Sequence, residues 1–379
     1  MQFIKPFFLL QVTILLILTS CNNQVETAQK NEENNLVAVK YAKGFQIEDK
    51  TDYKVITLKD AWKGGKASYQ YVLYKNEPPK GYDKATFIQV PIKKIVCMSA
   101  THIALLDKLN RLNTIVAMSG PDYVSNPKVK GLVASNKIKE AGNYQGLNYE
   151  LLVDEKPDLI MSFGINESSS KQINKLKELE LKVVLNAEYM ESHPLGKLEW
   201  IKFVAAFYDM ENEADSIFKN IETEYIELLG LTKNIKNKPT VFAGMPWNGV
   251  WQVPGGNSYM AHFFNDAGAD YLWSKNKEKA SYPKNIEVIL DEALGADYWL
   301  NLNSYSTMNA ITEYDQKYSK FSAFKKNQLY NNDKRLNSNG GNDYFESGPV
   351  NPHIVLKDLI EIFHPDILDH ELYYYKKMK

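Results

Sequence analysis

The residue types that most often do chemistry are scarce and scattered in this chain. The six histidines are His102, His193, His262, His353, His364 and His370, and no two lie four residues apart. The sequence also lacks a P-loop, a Gly-x-Gly-x-x-Gly after a strand, a Cys-x-x-Cys and a Gly-x-Ser-x-Gly. The common nucleotide, zinc-protease and serine-hydrolase readings therefore fall away. A metal site assembled from dispersed His and carboxylate side chains stays open. Cys97 sits in the apolar run Ile95-Val96-Cys97-Met98 and reads as a buried structural thiol. The only arginines are Arg111 and Arg335, so bidentate grip on carboxylate or phosphate is in short supply. Tyrosine (24) and tryptophan (6) are plentiful, and a ligand would be held mainly by aromatic surface.

The elements that must position these groups start with a short apolar run. Lys5 precedes Phe7–Leu18, about 12 residues, which fits a signal h-region and falls short of the roughly 20 needed to span a bilayer. Leu18-Thr19-Ser20-Cys21 follows and looks like a bacterial lipobox. Residues 1–20 are then a lipoprotein signal peptide, and the mature chain begins at a lipidated Cys21. Polar residues 21–35 are expected to be a flexible tether. The chain has 379 residues, 44% of them apolar and 24% charged, enough for two domains with substantial cores. Its net charge of −1 offers no basic field for nucleic acid.

Residues 36–92 alternate polar and aromatic side chains around Gly64-Gly65 and predict a β-rich segment. From 93 to 195, short apolar strands alternate with amphipathic helices. Ile95–Met98 is followed by a helix capped by Ser99 or Thr101, and Pro157-Asp158 leads into Leu159–Phe163. Residues 196–235 carry apolar side chains at helical spacing from Leu198 to Leu228 and predict one long helix with room for a break near Asp209. The alternation resumes over 236–379. The fold class is thus α/β, with two doubly wound lobes bridged by one long α-helix and a ligand cleft between the lobes.

Open α/β sheets bind ligands outside the carboxyl ends of their strands. That rule selects Ser99, Thr101 and His102 after the first strand, Asp122 and Tyr123 after the second, and Gly164 after the third. In the second lobe it selects Trp247, Trp251 and Tyr259, then Tyr305, Arg335 and Tyr344. Each aromatic alone would suit ordinary packing; together they suit a cleft for a bulky, partly apolar molecule. His102 fits ligand contact, capping or packing equally well.

Three segments resemble the ferric-siderophore and vitamin B12 periplasmic binding proteins of ABC importers. They are Lys94–His102, Gly146–Leu152 followed by Lys156–Ile160, and Asn285–Leu290 followed by Gly295-Ala296-Asp297. Trp251–Met260 and Asn342–Gly348 look like a lipoprotein branch of that family. The resemblance implies a monomeric, lipid-anchored receptor of the cell envelope with no cofactor and no catalysis. It would bind an iron chelate, haem or a corrinoid and deliver it to a permease dimer. It also implies docking through one surface glutamate per lobe, Glu150 and Glu287, although an acid in a helix first turn stabilises the macrodipole in any case. Scarce arginine tilts the ligand away from ferric citrate. A zinc or manganese receptor and an enzyme on the same two lobes are the competing readings.

Overall fold

The computed structural model describes residues 35–59, 61–62, 64, 68–143, 146–164 and 167–379. The expected leader, Cys21 and the expected tether up to residue 34 lie outside them, as does Asn166. Among the described residues no helix is long and apolar enough to cross a membrane.

Two five-stranded sheets organise the lobes. In the first, the strand order is Val183–Leu185, Leu159–Ser162, Ile95–Cys97, Ile115–Met118, Lys139–Glu140, and all neighbours are parallel. In the second, Asp270–Tyr271, Thr240–Ala243, Tyr298–Leu300 and Leu329–Asn331 are parallel, and Lys376–Lys377 closes the edge antiparallel. Both lobes pin their central strands the same way. Asp158 accepts the backbone N–H groups of Lys93 (2.6 Å) and Lys94 (2.8 Å) at the entry to Ile95–Cys97. Asp297 accepts the Thr240 N–H (3.0 Å) and hydroxyl (2.8 Å) at the entry to Thr240–Ala243. An acid leading into one parallel strand thus fixes the start of its neighbour, which gives the two similar sequence segments a physical basis. Cys97 is free and fully buried, and burial pushes its thiol far up.

The 196–235 stretch is split where the sequence leaves room for a break. It forms Pro194–Ala206 and the 22-residue helix Glu211–Thr232, about 33 Å long at 1.5 Å per residue. Asp209 between them adopts φ +58°, a left-handed conformation that ends the first helix. Pro194–Ala206 is buried almost all round. A helix buried on every side needs partners on every side, and the 36–92 segment supplies one of them.

That segment is a five-stranded sheet in sequential order, from Asn35–Leu36 through Phe45–Asp49, Tyr53–Leu58 and Tyr69–Tyr74 to Thr86–Gln89. The first three pairings are antiparallel and the last is parallel. Phe45 meets Trp200 edge-on at 4.8 Å and Phe203 at 5.5 Å. The strap before it is fastened by two buried acids. Glu199 accepts the backbone N–H groups of Lys40, Tyr41 and Ala42 at 2.8, 2.7 and 2.9 Å. Glu191 accepts those of Lys43 and Gly44 at 2.8 and 2.9 Å. Five successive donors are thereby satisfied away from bulk water. Two carboxylates in one core helix region would otherwise be costly.

Candidate ligand cleft

At the first strand end, Ser99 caps helix Ala100–Lys108, accepting from the Thr101 N–H at 3.3 Å. The Thr101 hydroxyl shares a hydrogen bond with Ser99 at 3.0 Å, and Glu188 is buried just past the strand Val183–Leu185. Burial holds the Glu188 carboxyl above its usual range, with Lys197 opposing. Lys197 itself is pulled below the usual lysine range by burial, against the pull of Glu188 and Glu191. Its ammonium lies 4.4 Å over the ring of Tyr259, the first residue of helix Tyr259–Asp266 in the second lobe. Lys197 of helix Pro194–Ala206 thereby meets Tyr259 of the second lobe. Glu188 lies three residues past Leu185, within reach of the strand-end rule once that fourth strand is included. Nothing local marks Lys197.

The Tyr259 ring also packs edge-on against Phe263. Asp122 and Tyr123 are exposed and lie at a seam between the lobes. Asn337 and Asn339 donate to the Asp122 carbonyl at 3.4 and 3.2 Å, and Glu346 accepts the Asn126 N–H at 3.0 Å. Gly341 is required there, because a Cβ would stand 1.8 Å from the Tyr123 carbonyl oxygen.

Trp247 is the most prominent aromatic of the second lobe, 70% exposed. Its presentation follows from Asn248-Gly249, whose φ values of +47° and +78° make a tight hairpin turn. The register pairs Trp247 with Val250 and Pro246 with Trp251. Trp247 and Val250 thus share the outer face, and Trp251 goes inward. Truncating an exposed ring should not unsettle the core. Trp247→Ala is expected to weaken ligand binding by about 1–3 kcal/mol with an unchanged melting temperature; equal affinity in a titration would remove Trp247 from the site.

Four expected cleft residues are placed elsewhere. Trp251 is fully buried, donates to the Ala243 carbonyl at 3.1 Å and stacks on Trp299. Tyr344 is buried against Tyr374 and Tyr375, each ring 5.8 Å away. Arg335 is committed to Asp343 (2.5 Å) and lies over the Tyr373 ring. It lines a cavity of about 460 Å³ beside Asp107 and Lys108, at the far end of helix Ala100–Lys108 from the strand ends. His102 is fully buried, with neither ring nitrogen hydrogen-bonded. In each case packing or an ion pair outcompetes the cleft. Gly164 is buried at its strand end, and Tyr305 is half-buried beside Tyr314.

Burial lowers the His102 pKa from 6.5 to about 3. The folded chain therefore resists a proton that the unfolded chain takes up. Stability from this group falls as pH drops from 6.5 towards 3. His102→Leu should lose that slope, seen as a smaller shift of the denaturation midpoint between about pH 7 and 5.

Among the described residues no three His, Cys, Asp or Glu side chains gather to hold a metal ion. His193 and His262 come within 5.5 Å, but His193 Nδ1 already accepts the Leu195 N–H.

Glu150 and Glu287 are both exposed, each in the first turn of a short helix opened by asparagine. Asn148 accepts from the Leu151 N–H at 3.1 Å, and Asn285 from the Glu287 N–H at 2.8 Å. The two lobes thus present Asn-x-Glu in equivalent settings.

Two α/β lobes built on parallel sheets and joined through helices define a two-lobed fold. The chain belongs to the periplasmic binding protein family, whose model matches residues 95–336. An uncharacterized lipoprotein of Methanocaldococcus jannaschii is 28% identical over 377 residues, covering 91% of this chain and 86% of its own. The fold is shared with an ABC transporter substrate-binding protein from Listeria monocytogenes (TM-score 0.54, 19% identity, 72% of this chain and 99% of that one). It is also shared with a periplasmic heme binding protein from Pseudomonas aeruginosa (TM-score 0.57, 14% identity, 76% and 98%).

Proposed function

We propose that this chain is the substrate-binding component of an ABC importer, lipid-anchored through Cys21, that captures an iron chelate, haem or a corrinoid and delivers it intact. The observation that carries the reading is Trp247, an indole held outward by a rigid turn at the strand ends of a periplasmic binding protein. A broad, largely exposed ring in that position suits a bulky ligand with apolar faces better than a bare ion or a small polar solute. Arg335, the one arginine in the second lobe, is already paired with Asp343. That supports a ligand of low negative charge, such as a haem, a corrinoid or a neutral hydroxamate chelate. The Pseudomonas aeruginosa protein that shares this fold is a heme binding protein, which is consistent with this class.

Delivery requires a handle on each lobe. Glu150 and Glu287 supply one carboxylate apiece, and each would enter a basic pocket on one permease subunit.

The test is a titration read by tryptophan fluorescence, corrected for ligand absorbance. Haemin, cyanocobalamin and ferrichrome are the probes, with Zn²⁺ and Mn²⁺ as controls. Saturable quenching by one chelate at sub-micromolar concentration is expected. A response to bare ions alone would overturn the reading in favour of a metal receptor.

A further inference from the structure

We propose that the N-terminal sheet supplies one wall of the ligand cleft, with Trp62 as the side chain that meets an apolar or aromatic face of the ligand; this rests on the capture role above. Trp62 lies outside the span matched by the family model, in the connection between strands Tyr53–Leu58 and Tyr69–Tyr74. Its ring is laid against the backbone of Gly164, immediately beyond the strand Leu159–Ser162. A Cβ on Gly164 would stand 2.5 Å from Cε3, 3.2 Å from Cζ3 and 3.3 Å from Cδ2 of the indole. Three ring atoms at such distances mean that the ring covers this strand end, and that only glycine leaves room for it.

The position is fastened from a second strand end. The Tyr189 hydroxyl, just past Val183–Leu185, donates to the Gly164 carbonyl and lies 3.4 Å from the Ala61 carbonyl oxygen. Tyr71 of the same sheet accepts the Leu185 N–H at 2.9 Å. The N-terminal sheet thus reaches the carboxyl ends of two neighbouring strands, where open α/β sheets bind ligands.

The tryptophan inventory points the same way. Trp200, Trp251 and Trp299 are fully buried and Trp273 nearly so. Of the remaining two, Trp247 in the second lobe is 70% exposed and Trp62, over a strand end of the first, is half-buried. Indole rings on both rims would grip a flat or apolar ligand by two faces.

The experiment uses the full chain in mild detergent with haemin, cyanocobalamin and ferrichrome as probes. Trp62→Ala is expected to bind the best probe about 10- to 100-fold more weakly, and Trp62→Phe within about fivefold of wild type. Gly164→Ala, which pushes the ring away without removing it, should weaken binding as well. Hydroxyl-radical footprinting of the wild-type chain should show Trp62 protected when the probe saturates, a readout that survives if a variant fails to fold. Unchanged affinity in Trp62→Ala, or Trp62 oxidised equally with and without bound probe, overturns the wall and leaves the capture role standing. If the wild-type chain binds none of the probes, the capture role fails and this inference fails with it.

Discussion

A chain carrying both Glu150→Ala and Glu287→Ala is expected to bind its ligand with wild-type affinity and to deliver it poorly. Both carboxylates are exposed, each in the first turn of a short helix. Each serves its helix as a first-turn acid, worth a few tenths of a kcal/mol to about 1 kcal/mol, so the folded state survives their loss. At a complementary basic pocket the same carboxylate counts for more, because truncating one partner of a desolvated charge pair costs about 2–5 kcal/mol. Uptake of labelled ligand by cells dependent on this protein should fall at least about tenfold in the double variant. Full uptake would leave the two glutamates as helix-start residues and nothing more.

The second large effect concerns the strap. Glu199→Ala should destabilise the chain by about 3 kcal/mol or more, read as a lower denaturation midpoint. The side chain is fully buried and accepts three consecutive backbone N–H groups, from Lys40 to Ala42. Its removal strands those donors where water cannot replace it, and a buried unsatisfied donor costs about 1–3 kcal/mol. It also leaves Lys202, whose ammonium lies 3.4 Å from Glu199, with less compensation. Lys40→Ala serves as the contrast. Its ammonium pairs with Glu222 but is largely exposed, so solvent screens the pair and its loss should leave the midpoint nearly unchanged. Equal midpoints for Glu199→Ala and wild type would mean that the N-terminal sheet is not held by this clasp.

Local signals carried most of the lobe architecture. Ser99 marks a helix start by its own chemistry, and the Glu-helix-Asp segments announce themselves because Asp158 and Asp297 each pin a neighbouring strand. The break at Asp209 was legible as a possibility, and its left-handed φ realises it. The side-chain directions were harder. Trp247 and Trp251 look alike as strand-end aromatics, yet Asn248-Gly249 fixes a register that sends one out and the other in. Reading that turn as a hairpin would have separated them. Tyr344 and His102 were unreadable for another reason. Their burial is decided by partners far along the chain, Tyr374 and Tyr375 for the one and the lobe core for the other. The contacts of Lys197 with Tyr259 and of Trp62 with Gly164 are likewise products of long-range assembly. No local spacing encodes them. The task of the N-terminal sheet, covering helix Pro194–Ala206, is visible only from that helix, which is buried almost all round.

The most direct test of the account is equilibrium dialysis of the purified chain against haemin, cyanocobalamin, ferrichrome and ferric citrate, followed by mass spectrometry of the recovered ligand. One chelate is expected to be retained at a single site and released chemically unchanged. Recovery of an altered ligand would make the protein an enzyme on a receptor fold, and retention of bare metal ions in preference to every chelate would make it a metal receptor. Either result would contradict capture of an intact chelate.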